Sequence, residues 1–126
     1  MKHLLDVNLL IAANVKTHVH HAVVSSWLAN ADVVLCPIVE LGFIRISTSS
    51  KSGIGLNMAQ ARKTLADFVA HTGAERIDDD LPALDSHPRT SDAVTDHYLA
   101  DLAARHGMKL ATLDLGIKHS AVDLVR

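Results

Sequence analysis

The segment from residue 95 to residue 114, which is the most informative about the fold, reads T-D-H-Y-L-A-D-L-A-A-R-H-G-M-K-L-A-T-L-D. Its first part has apolar residues at helical spacing, which predicts a helix from about Ala93 to His106 that ends at Gly107. The short apolar run from Lys109 to Thr112 predicts a buried strand, and an acid, Asp114, follows it. A helix that leads into a buried strand in this way is one unit of an α/β fold.

The rest of the chain alternates in the same way between short apolar runs and segments with helical spacing. Further strands are predicted at residues 4–5, 33–36, 75–77 and 122–125, the third of them weak. Helices are predicted at residues 9–13, 17–30, 38–46 and 57–71, with one helical turn after Asp114, and loops at 47–56 and 78–92. The pattern at 38–46 also fits a strand, but Pro37 favours a helix there. This alternation predicts an α/β fold, with a central parallel sheet of four or five short strands covered on both faces.

Length and cysteine content restrict the class of protein. The 126 residues suffice for one compact domain, residues 1–126, and are too few for two. The single cysteine, Cys36, cannot form an internal disulfide, which favours the reducing cytoplasm. The apolar N-terminal run resembles a signal peptide, but Asp6 and Asn8 interrupt it, and no stretch is suited to span a bilayer. We therefore expect a cytoplasmic protein without a membrane partner.

The net charge of −2 argues weakly against nucleic-acid binding by general electrostatic attraction, because domains that bind in that way are usually basic. If four of the acids neutralise metal ions, however, the −2 of the whole chain becomes +2 for the remainder. RNA is therefore not excluded, and phosphate affinity would depend on a metal and a local basic patch. The four aromatic residues are too few to suggest a base-stacking platform.

Three acids are placed near the carboxyl ends of predicted strands. Asp6 follows the first strand, Glu40 lies one turn into the helix after the second, and Asp114 follows the fourth. Parallel strands bring such residues to one edge of the sheet, where open α/β folds bind their ligands. Carboxylates suit Mg²⁺ and Mn²⁺, which are hard cations. Position alone leaves open that some of these acids only cap helices.

Helical geometry adds a fourth acid. Residues of a helix advance by about 100° each, so Asp96 falls within the apolar arc that contains Leu99 and Ala103. Asp101 falls on the opposite face, where it is predicted to be a solvated acid paired with Arg105 four residues later. A carboxylate on a buried face must be paired, protonated or bound to a metal. We therefore expect Asp96, and not Asp101, at the site.

Glu40 passes the same test less strongly, since Phe43 and Ile44 flank it on its helix. The sequence pattern thus predicts one Mg²⁺ or Mn²⁺ site formed by four acids: Asp6, Glu40, Asp96 and Asp114.

Several segments together resemble a known family. They are L-L-D-V-N-L-L-I-A at 4–12, C-P-I-V-E-L-G-F-I-R at 36–45 and the block at 95–114, with a weaker likeness in H-V-H-H-A-V-V-S-S-W-L at 18–28. In this order they resemble the PIN-domain ribonucleases, and within these the VapC toxins of VapBC toxin–antitoxin pairs. The resemblance covers nearly the whole chain.

The resemblance implies a three-layer α/β/α fold and endonucleolytic cleavage of RNA, often tRNA or ribosomal RNA. It also implies dependence on Mg²⁺ or Mn²⁺, a homodimer, and inhibition by a VapB-type antitoxin. The four acids match the family's metal-binding acids, and Asn8 and Thr112 match polar residues that flank the site. Leu115 departs from the family, where a basic or aromatic residue often follows the last acid, and the short C-terminal end is a second departure.

Other features are weaker candidates. His18, His20 and His21 suggest a transition-metal site but are explained by a solvated first helical turn. The Gly-rich loop near Gly53 lacks the residues of a phosphate-binding loop, although Arg45 and Lys51 beside it could contact RNA. The acidic run at 78–80 is most simply a solvated turn and stays a minor metal candidate.

Two rival classes of function fit parts of the pattern. A phosphatase with a D-x-D pair is disfavoured because Asn8 stands where the second acid is needed, and the acids of a phosphorelay receiver are not present. A dimer that only binds RNA or protein, and a PIN-type nuclease that is not a toxin, remain alternatives.

Overall fold

A computed structural model of the chain describes residues 1–126. It contains five strands: β1 (Lys2–Leu5), β2 (Asp32–Leu35), β3 (Glu75–Arg76), β4 (Lys109–Thr112) and β5 (Val122–Leu124). Its five helices are α1 (Val7–Asn14), α2 (His21–Leu28), α3 (Pro37–Thr48), α4 (Met58–Thr72) and α5 (Val94–Arg105). Two short 3₁₀ turns, Ala83–Asp85 and Ser91–Ala93, lie between β3 and α5.

The strands form one parallel sheet in the order β3-β2-β1-β4-β5. The order reverses beside β1, because the chain builds outward to β2 and β3 and then returns to place β4 on the other side. A reversal of this kind leaves a crevice at the carboxyl ends of the two strands beside it, which is where open α/β sheets bind ligands.

The helices cover both faces of the sheet. Helix α1 packs on α2 and α3, and α3 packs on α4, whereas α5 packs on β1 and β4. Since parallel crossovers are right-handed, the return from β3 to β4 puts α5 on the face opposite the other four helices. The predicted α/β architecture is therefore confirmed.

The central strands are buried because helices cover them on both sides. Leu4 and Leu5 of β1 and Leu110 of β4 are fully buried in one apolar cluster of 23 residues. Strand β3, at the sheet edge, has only two residues and both are exposed. The centre of the sheet is therefore buried and its β3 edge is exposed.

Local signals placed several helix ends correctly. Asn57 and Gln60 form the predicted capping box at the start of α4. Gly73 ends that helix with a φ of 67°, in the left-handed region that glycine adopts at little cost.

Two local predictions are wrong. The second helix begins at His21 and not near residue 17, because turns closed by His18 N–H to Val15 O and His21 N–H to His18 O occupy the intervening residues. No helical turn follows Asp114. The backbone N–H of Gly116 bonds the Asp114 carboxylate instead and closes a tight turn. None of the helices combines the length and the apolar character needed to cross a membrane.

Candidate metal centre

Asp6 lies at the point where β1 ends and α1 begins, and it is only 2% exposed. Its Oδ1 accepts a hydrogen bond of 2.7 Å from the backbone N–H of Leu9, so the side chain caps α1. Its Oδ2 accepts a hydrogen bond from the hydroxyl of Thr112 at the end of β4. Its own N–H bonds Ala111 O, which continues the pairing of β1 with β4. The carboxylate is thus fixed at the crevice between the two strands.

Asp114 is placed on the other side of this crevice by the end of β4. Its backbone N–H donates to the fully buried Thr112 hydroxyl at 3.0 Å, and its Oδ1 accepts from Gly116 N–H at 2.7 Å. A Cβ on Gly116 would lie only 3.2 Å from that oxygen, so glycine permits this close turn. The hydroxyl of Thr112 therefore links the two acids by one hydrogen bond to each.

Asp96 reaches the site from the first turn of α5. As predicted, Leu99 and Ala103 on the same side of this helix are fully buried, and Asp96 itself is half-buried. Asp96 and Asp114 line one open cavity of about 490 Å³ together with Arg89, Thr90, Asp92, Ala93, His97, Gly116, Ile117 and Lys118. Helix α5 and the segment after β4 thus form two walls of the same cavity.

The charges of these acids influence one another. The pKa of Asp6 is raised from 3.8 to about 6, mainly by burial. The hydrogen bonds from Thr112 and Leu9 lower this pKa, and the negative charges of Asp96 and Asp114 raise it. Burial and the nearby charge of Asp114 also raise the pKa of Asp96. None of the ion pairs in this structure gives these three acids a basic partner. Clustered, unpaired carboxylates of this kind suit a divalent cation.

Glu40 is placed differently. It lies in the first turn of α3 and is 8% exposed, and its carboxylate accepts two hydrogen bonds from the guanidinium of Arg76, from Nε at 2.9 Å and from Nη2 at 3.0 Å. Arg76 ends the neighbouring strand β3. The structure therefore places Asp6, Asp96 and Asp114 near enough for the charges of Asp96 and Asp114 to act on Asp6, and it turns Glu40 toward the β3 side of the same sheet edge.

The remaining predicted residues lie around the site. Asn8 is exposed in the first turn of α1. Arg45 lines a groove with Leu41 and Met58, and Lys51 is exposed in the loop between α3 and α4. Arg89 and Lys118, which sequence reasoning missed, line the cavity of Asp96 and Asp114. Both lie outside regular helices and strands, so no periodic pattern marks them.

The prediction for Asp101 is wrong. It is half-buried and accepts hydrogen bonds from Ser86 and His119, while Arg105 contacts Asp80 instead. Segments before and after α5 fold over this helix face, which helical periodicity alone cannot reveal.

Two weaker metal candidates have other contacts. In the acidic run at 78–80, Asp80 forms ion pairs with His106 and Arg105. Among the N-terminal histidines, the ring of His21 bonds Ala12 O and Ser25.

Replacement of Thr112 by valine tests how the site is held. Valine keeps the shape and removes the hydroxyl that donates to Asp6 and accepts from Asp114 N–H. Loss of such a partner behind a metal ligand weakens metal binding by about 10–100-fold. We expect Thr112→Val to raise the Mn²⁺ dissociation constant by that factor, as measured by calorimetric titration. Thr72→Val is the matched control, because the Thr72 hydroxyl bonds only backbone atoms. It donates to Phe68 O in α4 and accepts from Ala74 N–H. An unchanged Mn²⁺ affinity in Thr112→Val would contradict this role.

A family model and the sequence relatives of this chain agree on one family. The PIN domain model matches residues 3–122. The chain is 39% identical to Ribonuclease VapC38 of Mycobacterium tuberculosis, with 90% of this chain and 86% of that protein covered. It is 35% identical to Ribonuclease VapC39 of the same species, with 96% and 94% covered. Among solved structures, VapBC2 from Rickettsia felis bound to a promoter DNA fragment is similar in fold, with a TM-score of 0.65, 16% identity and full coverage of both chains.

Proposed function

Because the chain belongs to the PIN domain family and its relatives include VapC ribonucleases, we propose that it is a metal-dependent endoribonuclease and the toxin of a type II toxin–antitoxin pair. The observation that carries the proposal is the cluster of Asp6, Asp96 and Asp114 at the crevice between β1 and β4. None of the three carboxylates has a basic partner, and burial together with the neighbouring negative charges raises the pKa of two of them, Asp6 and Asp96.

The donor set fits Mg²⁺ or Mn²⁺, since all three side chains offer hard oxygen ligands. Asp6, Asp96 and Asp114 would hold the ion or ions. When bound, such an ion supplies an activated water for attack on the scissile phosphate and stabilises the leaving oxygen. The proposed products carry 3′-hydroxyl and 5′-phosphate ends.

The chain's own residues contribute rigidity and charge. Leu9 N–H and the Thr112 hydroxyl hold the Asp6 carboxylate in one orientation, so few conformations are lost when a ligand binds. Glu40 stays a proposed fourth ligand on the strength of the resemblance. To act as one, it would have to exchange its bidentate contact with Arg76 for a place beside Asp6.

The proposed substrate is RNA, with tRNA or ribosomal RNA as the expected targets. The cavity that contains Asp96 and Asp114 is also lined by Arg89 and Lys118. Their positive charges are placed to attract phosphates to the acids, which could not attract RNA by themselves. Arg45 and Lys51 are kept as further candidate contacts.

A VapB-type antitoxin is the proposed partner. The VapC relatives and the fold shared with a VapBC complex support this assignment. A homodimer is also proposed from the family resemblance, and a cytoplasmic location from the single cysteine.

Chelation of the metal tests the proposed reaction. We expect the purified chain to cut RNA in Mn²⁺ or Mg²⁺, to stop when EDTA is added, and to resume when Mn²⁺ is restored. End-labelling of the products measures the predicted 3′-hydroxyl and 5′-phosphate ends. Cleavage that resists EDTA would remove the metal mechanism.

A second assay tests the toxin role, since expression should arrest growth and co-expression of the antitoxin encoded beside this chain should relieve it. Metal-dependent cleavage without growth arrest would instead favour a PIN-type nuclease that is not a toxin. Absence of both cleavage and growth arrest would favour a binding module.

A further inference from the structure

Three side chains outside the acid cluster meet between α5 and the segment after β4. His97 and Asp101 lie one turn apart on α5, and His119 lies before β5. The Nε2 of His119 is 2.7 Å from Asp101 Oδ1, and the Nε2 of His97 is 3.3 Å from Asp101 Oδ2. One ligand atom from each residue lies within 4.8 Å of the other two. We propose that His97, Asp101 and His119 form a second metal site, which binds Zn²⁺ or a similar borderline ion.

The donor chemistry separates this site from the acid cluster. Two imidazole nitrogens and one carboxylate oxygen are ligands that zinc prefers, whereas three carboxylates suit Mg²⁺ and Mn²⁺. Three protein ligands leave one coordination position of a tetrahedral ion open. One of the three proposed ligands, His97, also lines the cavity of Asp96 and Asp114.

The ligands are already held in place. The three side chains are between 13% and 26% exposed, so little side-chain freedom remains to be lost on binding. The hydroxyl of Ser86 donates to Asp101 Oδ2 at 2.8 Å. A hydrogen bond of this kind orients a ligating carboxylate and strengthens metal binding by about 10–100-fold.

The protons of His119 determine what must change when the ion binds. Its Nδ1 accepts a hydrogen bond of 3.0 Å from Ala121 N–H, so in the metal-free protein Nε2 carries the proton that Asp101 accepts. A cation at Nε2 takes the place of this proton. The imidazole stays neutral by carrying a proton on Nδ1, and the bond from Ala121 N–H breaks. Because Ala121 is buried, an N–H left there without a partner weakens affinity by about 5- to 150-fold, which the bonds from the ion to its three ligands must outweigh.

The site joins the two elements that carry acids of the proposed catalytic centre. His97 and Asp101 share α5 with Asp96, and His119 follows Asp114 by five residues. An ion bound by all three would therefore fix α5 to the segment after β4 and stabilise the folded chain. The inference does not depend on ribonuclease activity, because ion binding can be measured without RNA.

Co²⁺ is the probe for the test, since it occupies zinc sites and has visible absorption bands. The full-length chain, stripped of metal, is titrated with Co²⁺ in excess Mg²⁺, which occupies the acid cluster. We expect one equivalent of Co²⁺ to bind, Zn²⁺ to displace it, and a raised Tm. His97→Gln and His119→Gln should each weaken binding by at least about 100-fold, and Ser86→Ala by about tenfold. The matched control is His106→Gln, because His106 also contacts an aspartate at 2.8 Å, but that aspartate is Asp80 and not one of the three proposed ligands.

A second set of measurements keeps the result decisive if a variant fails to fold. His97→Gln leaves the bonds of Asp101 with Ser86 and His119 intact, so it should fold as the wild type does. In the wild type, Zn²⁺ should shift the imidazole ¹⁵N resonances of His119 as the proton moves from Nε2 to Nδ1. Unshifted resonances would overturn the proposal. So would Co²⁺ binding that survives in His119→Gln and disappears in Asp6→Asn, since the ion would then lie in the acid cluster.

Discussion

Asp6→Asn is expected to lower the rate of RNA cleavage by about 10³-fold, because a metal ion contributes several kcal/mol to such reactions and Asp6 is its most rigidly held proposed ligand. Asparagine preserves the shape of the side chain and still caps α1, since its amide oxygen can accept from Leu9 N–H. The loss would therefore reflect the missing charge and not a lost fold.

The same substitution should stabilise the metal-free protein at neutral pH. The pKa of Asp6 is about 6 in the folded chain against an ordinary 3.8, so the folded state holds this proton more tightly than the unfolded state does. The protonated Asp6 carboxyl makes its full contribution to the free energy of unfolding below about pH 4. This contribution falls as the pH rises toward 6 and stays low above that. A difference of about two pKa units corresponds to about 3 kcal/mol at pH 7. An asparagine side chain cannot ionise, so we expect the free energy of unfolding of Asp6→Asn to be higher by about 1–3 kcal/mol at pH 7.5.

Urea unfolding in EDTA at pH 4 and pH 7.5, together with cleavage rates, measures both effects. The gain in stability of Asp6→Asn over the wild type should vanish near pH 4. Saturating Mn²⁺ should raise the stability of the wild type at pH 7.5, because the ion neutralises the Asp6 charge. Asp67→Asn is the control, since Asp67 is exposed and paired with Lys63, so it should change stability by less than about 1 kcal/mol. A wild-type cleavage rate in Asp6→Asn would show that the proposed centre is wrong. Equal stability of Asp6→Asn and the wild type at pH 7.5 would show that the buried Asp6 charge does not destabilise the folded state.

Asp96→Asn is expected to reduce cleavage by a similar factor of about 10³, because it removes a second proposed ligand from the opposite wall of the crevice. Asp96 is half-buried, and its charge is one of those that raise the pKa of Asp6. Its removal should therefore also lower the pKa of Asp6, and the stability profile of the variant should shift toward lower pH.

Asp92→Asn is the matched control for Asp96→Asn. Asp92 lines the same cavity but is exposed in the 3₁₀ turn before α5. We expect its cleavage rate and Mn²⁺ affinity to stay within about twofold of the wild type, as is usual for exposed acids without partners. If both variants lost activity equally, the general negative charge of the cavity, and not the position of Asp96, would be responsible.

Most of the helices and strands, and the side of α5 that faces inward, could be predicted from the amino-acid sequence. Apolar spacing identified the strand at Lys109–Thr112 to the residue and separated Asp96 from Asp101 on their helix. Capping residues predicted the start of α4 at Asn57 and its end at Gly73. These features depend on residues within a few positions of one another, since the periods of helices and strands and the hydrogen bonds of caps are local.

The contacts of the acids, in contrast, depend on how distant parts of the chain fold together. Arg76 reaches Glu40 across 36 positions of sequence, and Thr112 reaches Asp6 across 106. Asp101 does not have the solvated role predicted for it, because His119 and Ser86 approach from segments that have no periodic pattern. Such contacts follow from the order of the strands and the paths of the loops. A helical period gives the direction in which a side chain points, but the partner that it meets there is brought by another part of the chain.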